Sequence, residues 1–239
     1  MTYSISMIAP APNQQFTCRS GNSYTSDGNS YIGNVVGQDI NDLEGANCLP
    51  VGKTALPWVT GRFYGAPAGT TPVALLTVAS TLYAYPILVP NSVTLSALQV
   101  SVTTGQTGGK VEAGLYYDNG SGYPNNLVTG TDTGDLDGTA TAVVGPTNLT
   151  VALHPGWYWV AIQAAASSTM PSVAGITAAY TDLFRLLGSD TAAHQLAAGS
   201  QAPCGIKKTS QTYAALPTTF PSGAALVLNA GVPLASLGV

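Results

Sequence analysis

Charge is scarce in this sequence: 239 residues carry 7 Lys or Arg and 11 Asp or Glu, for a formal net charge of −4. Nucleic acid is excluded as a partner on this ground, because a phosphate backbone needs clustered cations. Only Lys207 and Lys208 are adjacent, while Arg19, Lys53, Arg62, Lys110 and Arg185 are scattered. Charge-driven disorder is excluded too, since 45% of the residues are hydrophobic. No run of about 18 apolar residues exists, so no membrane-spanning helix and no membrane partner are expected. The N-terminus lacks a basic stretch followed by a long apolar one, which predicts no secretory leader.

Cysteine is equally sparse. Cys18, Cys48 and Cys204 have neither an even count nor short metal-ligand spacing, so neither a disulfide framework nor a zinc site is read. Buried free thiols are the favoured reading, with a Cys18–Cys48 pairing left open. Residues for catalysis are missing as well. There is no Gly-x-Ser-x-Gly elbow, no His-Glu-x-x-His and no glycine-rich phosphate loop. His154 precedes Pro155-Gly156 at a turn, and His194 sits among small residues without a neighbouring acid or thiol pattern. A non-enzyme without cofactor or metal is therefore expected.

What the chain has is breakers and alternation. The 27 glycines and 16 prolines interrupt it too often for long helices and point to an all-β fold. Val93 to Val102 alternates over its whole length, Lys110 to Tyr117 forms a second strand, and Trp157 to Ala164 is the strongest of the series. Further short strands are read at Tyr83–Pro90, 127–130, 142–144, 149–153, 225–228 and 232–234. Strands every ten to fifteen residues with polar turns between them are the pattern of an antiparallel β-sandwich.

Three segments follow. Residues 1–56 hold a Pro-punctuated arm ordered by a neighbour, two short strands around turn-rich stretches, and one short helix over 37–45 that has acids at its start and Gly45 after it. Residues 57–80 are an apolar connector, and 81–239 are the sandwich. Residues 165–200 read as irregular, with a helical turn near 182–185.

Three clusters invite a functional reading. Asp132, Asp135 and Asp137 offer hard oxygen ligands for calcium, although an EF-hand spacing and a closing Glu are missing; a hairpin tip whose carboxylates bond backbone amides is the favoured alternative. Trp157 and Trp159 share one face of their strand, with Tyr158 on the other, which places both tryptophans in the core. Tyr116, Tyr117 and Tyr123 lie near Asp118, Asn119, Asn125 and Asn126. An aromatic face stacks on a sugar ring while amides and carboxylates hold its hydroxyls, so Tyr116, Asp118, Tyr123, Asn125 and Asn126 are candidate contacts to a host surface glycan.

The runs Tyr85–Pro90, Thr94–Leu98, Gly114–Pro124, Leu153–Ala161 and Ala215–Pro221 together resemble a jelly-roll-like module of tailed-bacteriophage structural proteins, over residues 80–239. Residues 16–50, with Ser20-Gly21, Tyr24, Ile32, Val35, Asp39, Leu43 and Ala46 to Pro50, are similar to a small module near the N-terminus of phage fibre and capsid-associated proteins; relatives have Gly where this chain has Asn47. The resemblance implies a mainly β protein with a jelly-roll-like β-sandwich behind a small α+β anchor. It further implies a virion location, capsid or tail proteins as partners and self-association as a homotrimer, and it carries no catalytic residues. The expected function is a head-fibre or decoration subunit. The alternatives are a receptor-binding tail-fibre subunit that recognises a glycan, and a bacterial carbohydrate-binding or adhesin domain.

Overall fold

The computed structural model describes residues 4–36, 39, 42–43, 46, 48–50, 58–65, 72–176, 205–227 and 231–239. The helical turn expected near 182–185, His194, Cys204 and part of the connector lie outside the described residues. So does most of the helix expected over 37–45, of which Asp42 and Leu43 are helical. The chain divides into two compact units.

The first unit comprises Met1–Thr60, Leu88–Thr94 and Ala152–Trp157. Its strands are β1 (Ser4–Ile8), β2 (Gln15–Thr17), β3 (Ser23–Thr25), β4 (Tyr31–Val36) and β5 (Leu49–Pro50). The stretch read as an arm awaiting a neighbour is instead ordered within the chain, because β1 is the middle strand of an antiparallel sheet β4-β1-β5. Met7, fully buried on β1, packs with Ile32, Val35, Leu43, Cys18 and Cys48. The pairing moves from Ile5↔Val35 to Met7↔Ile32, so β4 carries one residue more than β1. Asn34 absorbs this bulge at φ 55°, in the left-handed region that Asn tolerates better than most side chains. Both described cysteines are free and buried, and burial pushes both thiols up.

Two distant segments complete this unit. Asn91 clamps the backbone of Trp58, accepting from its N–H at 2.7 Å and donating to its carbonyl at 3.2 Å. His154 stacks on Tyr31 with ring centroids 5.3 Å apart.

In the remainder of the chain the strands are β6 (Phe63–Tyr64), β7 (Val73–Leu76), β8 (Thr81–Val89), β9 (Val93–Leu95), β10 (Ala97–Thr104), β11 (Lys110–Asp118), β12 (Pro124–Leu127), β13 (Leu136–Asp137) and β14 (Ala142–Val144). They continue with β15 (Val151–Leu153), β16 (Gly156–Ala165), β17 (Ser172–Ile176), β18 (Ile206–Thr209), β19 (Ala225–Leu226), β20 (Val232–Pro233) and β21 (Ala235–Gly238). The fold is mainly β, and every pairing whose register is described is antiparallel. The alternating run from Val93 is broken at Ser96, whose N–H donates to Gly238 and whose carbonyl accepts from Leu149.

The second unit is a sandwich of two sheets. One has the order β20-β17-β10-β21-β6, with β14 added on β10 and β7 on β17; the other runs β12-β11-β16-β8-β18-β19, with β13 on β11. Alternation sends Leu98, Val100 and Val102 of β10 and Val111, Ala113 and Leu115 of β11 inward, and all are buried. Buried Tyr85 on β8 joins the sheets, its hydroxyl donating to the Ala235 carbonyl at 2.9 Å and accepting from the Ala235 N–H at 3.2 Å.

Candidate functional site

In the second sheet, register puts Lys110, Glu112, Gly114 and Tyr116 of β11 on the face away from the sandwich interior. Beside them stand Ala165, Gln163, Ala161 and Trp159 of β16. Leu82 and Ala84 of β8 and Ile206 of β18 continue the same face. Such a face would normally be wet, yet it is a second apolar core. Its cover is the connection between β18 and β19, residues 210–224. Loops of about 15 residues without regular structure are uncommon in compact domains, and this one is bound down along its length as a strap.

The strap's apolar side is Leu216 and Phe220. Leu216 rests over Gly114, where a Cβ would come within 2.5 Å of the leucine methyl. Phe220 meets Tyr116 and Tyr123 edge-on, at 5.3 and 5.9 Å. The polar fastenings come mostly from side chains of the sheet. Tyr116 donates to the Pro217 carbonyl at 2.7 Å. Tyr123 donates to Pro221 at 2.8 Å and accepts from the Ala224 N–H at 2.9 Å. Thr219 donates to the Asn126 side chain at 3.0 Å, and the Phe220 N–H to the Asn125 carbonyl at 2.8 Å.

The five candidate glycan contacts are thus gathered in one place, around the strap. Tyr116 is fully buried and has no ring face free for a sugar. Tyr123 is half-buried and bonded at both ends, while Asp118 accepts from the Trp159 indole at 2.7 Å and from Gly120 at 2.7 Å. Only the side chains of Asn125 and Asn126 are exposed. Tyr123→Ala is therefore expected to lower stability by about 2 to 3 kcal/mol in chemical denaturation, through lost packing and two broken bonds. Unchanged stability would return Tyr123 to the list of surface residues.

Beneath the strap lies a cluster that the sequence reading passed over. Glu112 is 1% exposed; one carboxyl oxygen accepts from the Leu216 N–H at 3.3 Å and the other from the Gln163 amide. That amide also donates to the Ala214 carbonyl. Asp132 reaches the same carboxyl from the turn after β12, which Thr131 and Thr133 hold against β11 by accepting from Leu115 and Ala113. Burial first, and then Asp132, push Glu112 up to about 7. Lys110 does not neutralise the pair, since its ammonium is engaged with Asp135; that contact and the Tyr213 hydroxyl keep Asp135 below the ordinary carboxylate range.

The aspartates read as a calcium candidate behave as turn residues. Asp132 accepts from the Gly134 N–H at 2.9 Å, and Asp137 from the Thr139 N–H and hydroxyl at 2.9 and 2.6 Å. The tryptophan pair divides. Trp159 is 1% exposed, but Trp157 is 37% exposed, and the pairing with β11 ends at Tyr117↔Tyr158, short of Trp157. No protein-family model matches this chain, and no curated protein and no solved structure is found to be similar to it.

Proposed function

We propose that the protein is a bacteriophage virion structural protein, a fibre or decoration subunit attached through its N-terminal unit and displaying the β-sandwich, and that it self-associates as a homotrimer. The observation that carries the assembly part is the outer face of the first sheet. The opposed pairs Ser101↔Val143, Gln99↔Ser236, Gly238↔Phe63 and Ser172↔Leu76 lie on that face, and none is charged. Val143, Phe63 and Leu76 are 63%, 58% and 58% exposed. An uncharged face rimmed by large exposed apolar groups is a surface for other chains. The phage assignment rests on the resemblance carried by residues 16–50 and 80–239.

The receptor-binding alternative draws support from the exposed Asn125 and Asn126 side chains alone, since the tyrosine rings that would stack on a sugar hold the strap. Mass spectrometry of purified phage particles should find this chain, and antibody labelling should place it on the head or the tail. Light scattering of the pure protein should give three times the 24.2 kDa chain mass. Particles without the chain would sink the virion reading, and a stable monomer at micromolar concentration would remove the trimer.

A further inference from the structure

We infer that the strap at residues 210–224 is a pH-operated latch, shut over a protonated Glu112 carboxyl beneath it and loosened when that carboxyl ionises beside Asp132. The geometry gives the reason. Glu112 is the buried end of the fastening, receiving Leu216 of the strap directly and Ala214 through Gln163. A buried carboxylate without a cation is unfavourable, and a second carboxylate within hydrogen-bonding reach makes it more so. A protonated Glu112 carries no charge to repel Asp132, and its carboxyl still accepts from Leu216 and Gln163.

Among the described residues, the groups around Glu112 offer no other source of compensation. On its own strand stand Lys110, engaged with Asp135, and Tyr116, whose hydroxyl burial pushes up and which bonds Pro217. From β16 comes only the non-titrating Gln163. The segment 131–137 brings Asp132, Asp135 and Asp137, all acidic. The strap brings Tyr213, which donates to Asp135 and is itself pushed up, by burial first. Among the described residues no Lys or Arg forms an ion pair with Glu112 or Asp132.

The sign follows from linkage. Shut, the strap keeps the Glu112 proton until about pH 7; open, Glu112 titrates near its ordinary 4.5. The open state therefore binds fewer protons between these values, and closure is strongest below about pH 4.5 and weakens as the pH rises towards 7, after which it levels off. Opening would bare Tyr116, Leu216 and Phe220, an apolar surface hidden in acid.

Hydrogen exchange of the Leu216, Phe220 and Leu127 amides tests this, the last because it donates to Thr218 of the strap. After correction for intrinsic exchange, protection in the intact protein should fall at least about tenfold between pH 4.5 and 7.5, while Val100 and Val102 in the other sheet stay constant. Glu112→Gln, an uncharged mimic of the protonated acid, should hold strap protection flat across that range. Asp132→Asn, which removes the like charge, should flatten the profile in part and serves if Glu112→Gln does not fold. A flat wild-type profile overturns the inference, as does a Glu112→Gln or an Asp132→Asn profile that tracks the wild type.

Discussion

Trp159→Ala is expected to destabilise the sandwich by about 3 to 5 kcal/mol, the range for emptying a packed aromatic site. Its ring belongs to one buried cluster with Leu82, Ala84, Tyr116, Ala161, Ile206, Leu216 and Phe220, drawn from four strands (β8, β11, β16 and β18) and the strap, so no single neighbour can move in to fill the hole. The indole N–H is also a partner of Asp118, and its removal leaves that carboxylate with backbone donors alone. Trp157→Ala, two residues away, should cost about 1 kcal/mol or less, since its ring is already partly in water. Urea denaturation of the two variants side by side measures the difference. Equal costs would mean that Trp159 is not enclosed as described.

Gly145→Ala is expected to cost about 3 kcal/mol, for two reasons that act together. Gly145 has φ 137°, and an added Cβ would lie 2.2 Å from the Leu98 carbonyl oxygen and 2.9 Å from the Gln99 Cα. Those atoms belong to β10, the strand that pairs with β14, β17 and β21, so they cannot withdraw as a flexible side chain would. The backbone conformation alone costs a side chain about 1 to 2 kcal/mol, and forcing the two chains apart adds about 1 to 3 kcal/mol. Gly134→Ala is the control. Its φ of 61° is also positive, but nothing lies within 4 Å of the new methyl, so about 1 kcal/mol is expected. If the two alanine variants shift the denaturation midpoint equally, steric conflict at β10 is not the cause.

The sandwich was legible in the sequence because its strands alternate, and alternation is a local property. The runs from Lys110 and Trp157 mark β11 and β16 closely, the run from Val93 spans β9 and most of β10 across the break at Ser96, and the turn chemistry of Asp132 and Asp137 followed from side-chain length alone. What local pattern could not show was the strap. Tyr116 meets Pro217, and Glu112 meets Leu216, across more than a hundred residues. Viewed locally, Tyr123 and its asparagines sit beside an Asp-Asn-Gly turn and look like surface groups, and Glu112 looks like an outward, solvated acid. One signal was present: Gly114 and Tyr116 share that outward face with Glu112, and a strand that puts glycine and tyrosine on its wet side invites a cover. The tryptophan pair failed for a related reason, since alternation fixes the side of a sheet but not how far its cover extends along the strand.

The three-part make-up of the first unit bears on its birth at the ribosome. Met1–Thr60 emerges first, but the segment bearing His154 follows roughly 100 residues later, a delay of about 5 to 20 s at ordinary rates of synthesis. Until then Tyr31 lacks the imidazole stacked on it, and until Asn91 emerges the Trp58 backbone lacks its clamp. The sheet around Met7 can pair early, whereas closure of the unit must wait for long-range partners, which makes it a slow-maturing piece despite its position at the front of the chain. A nascent chain stalled before Ala152 would carry this unit half-built, with its apolar surface open to chaperones and to other copies.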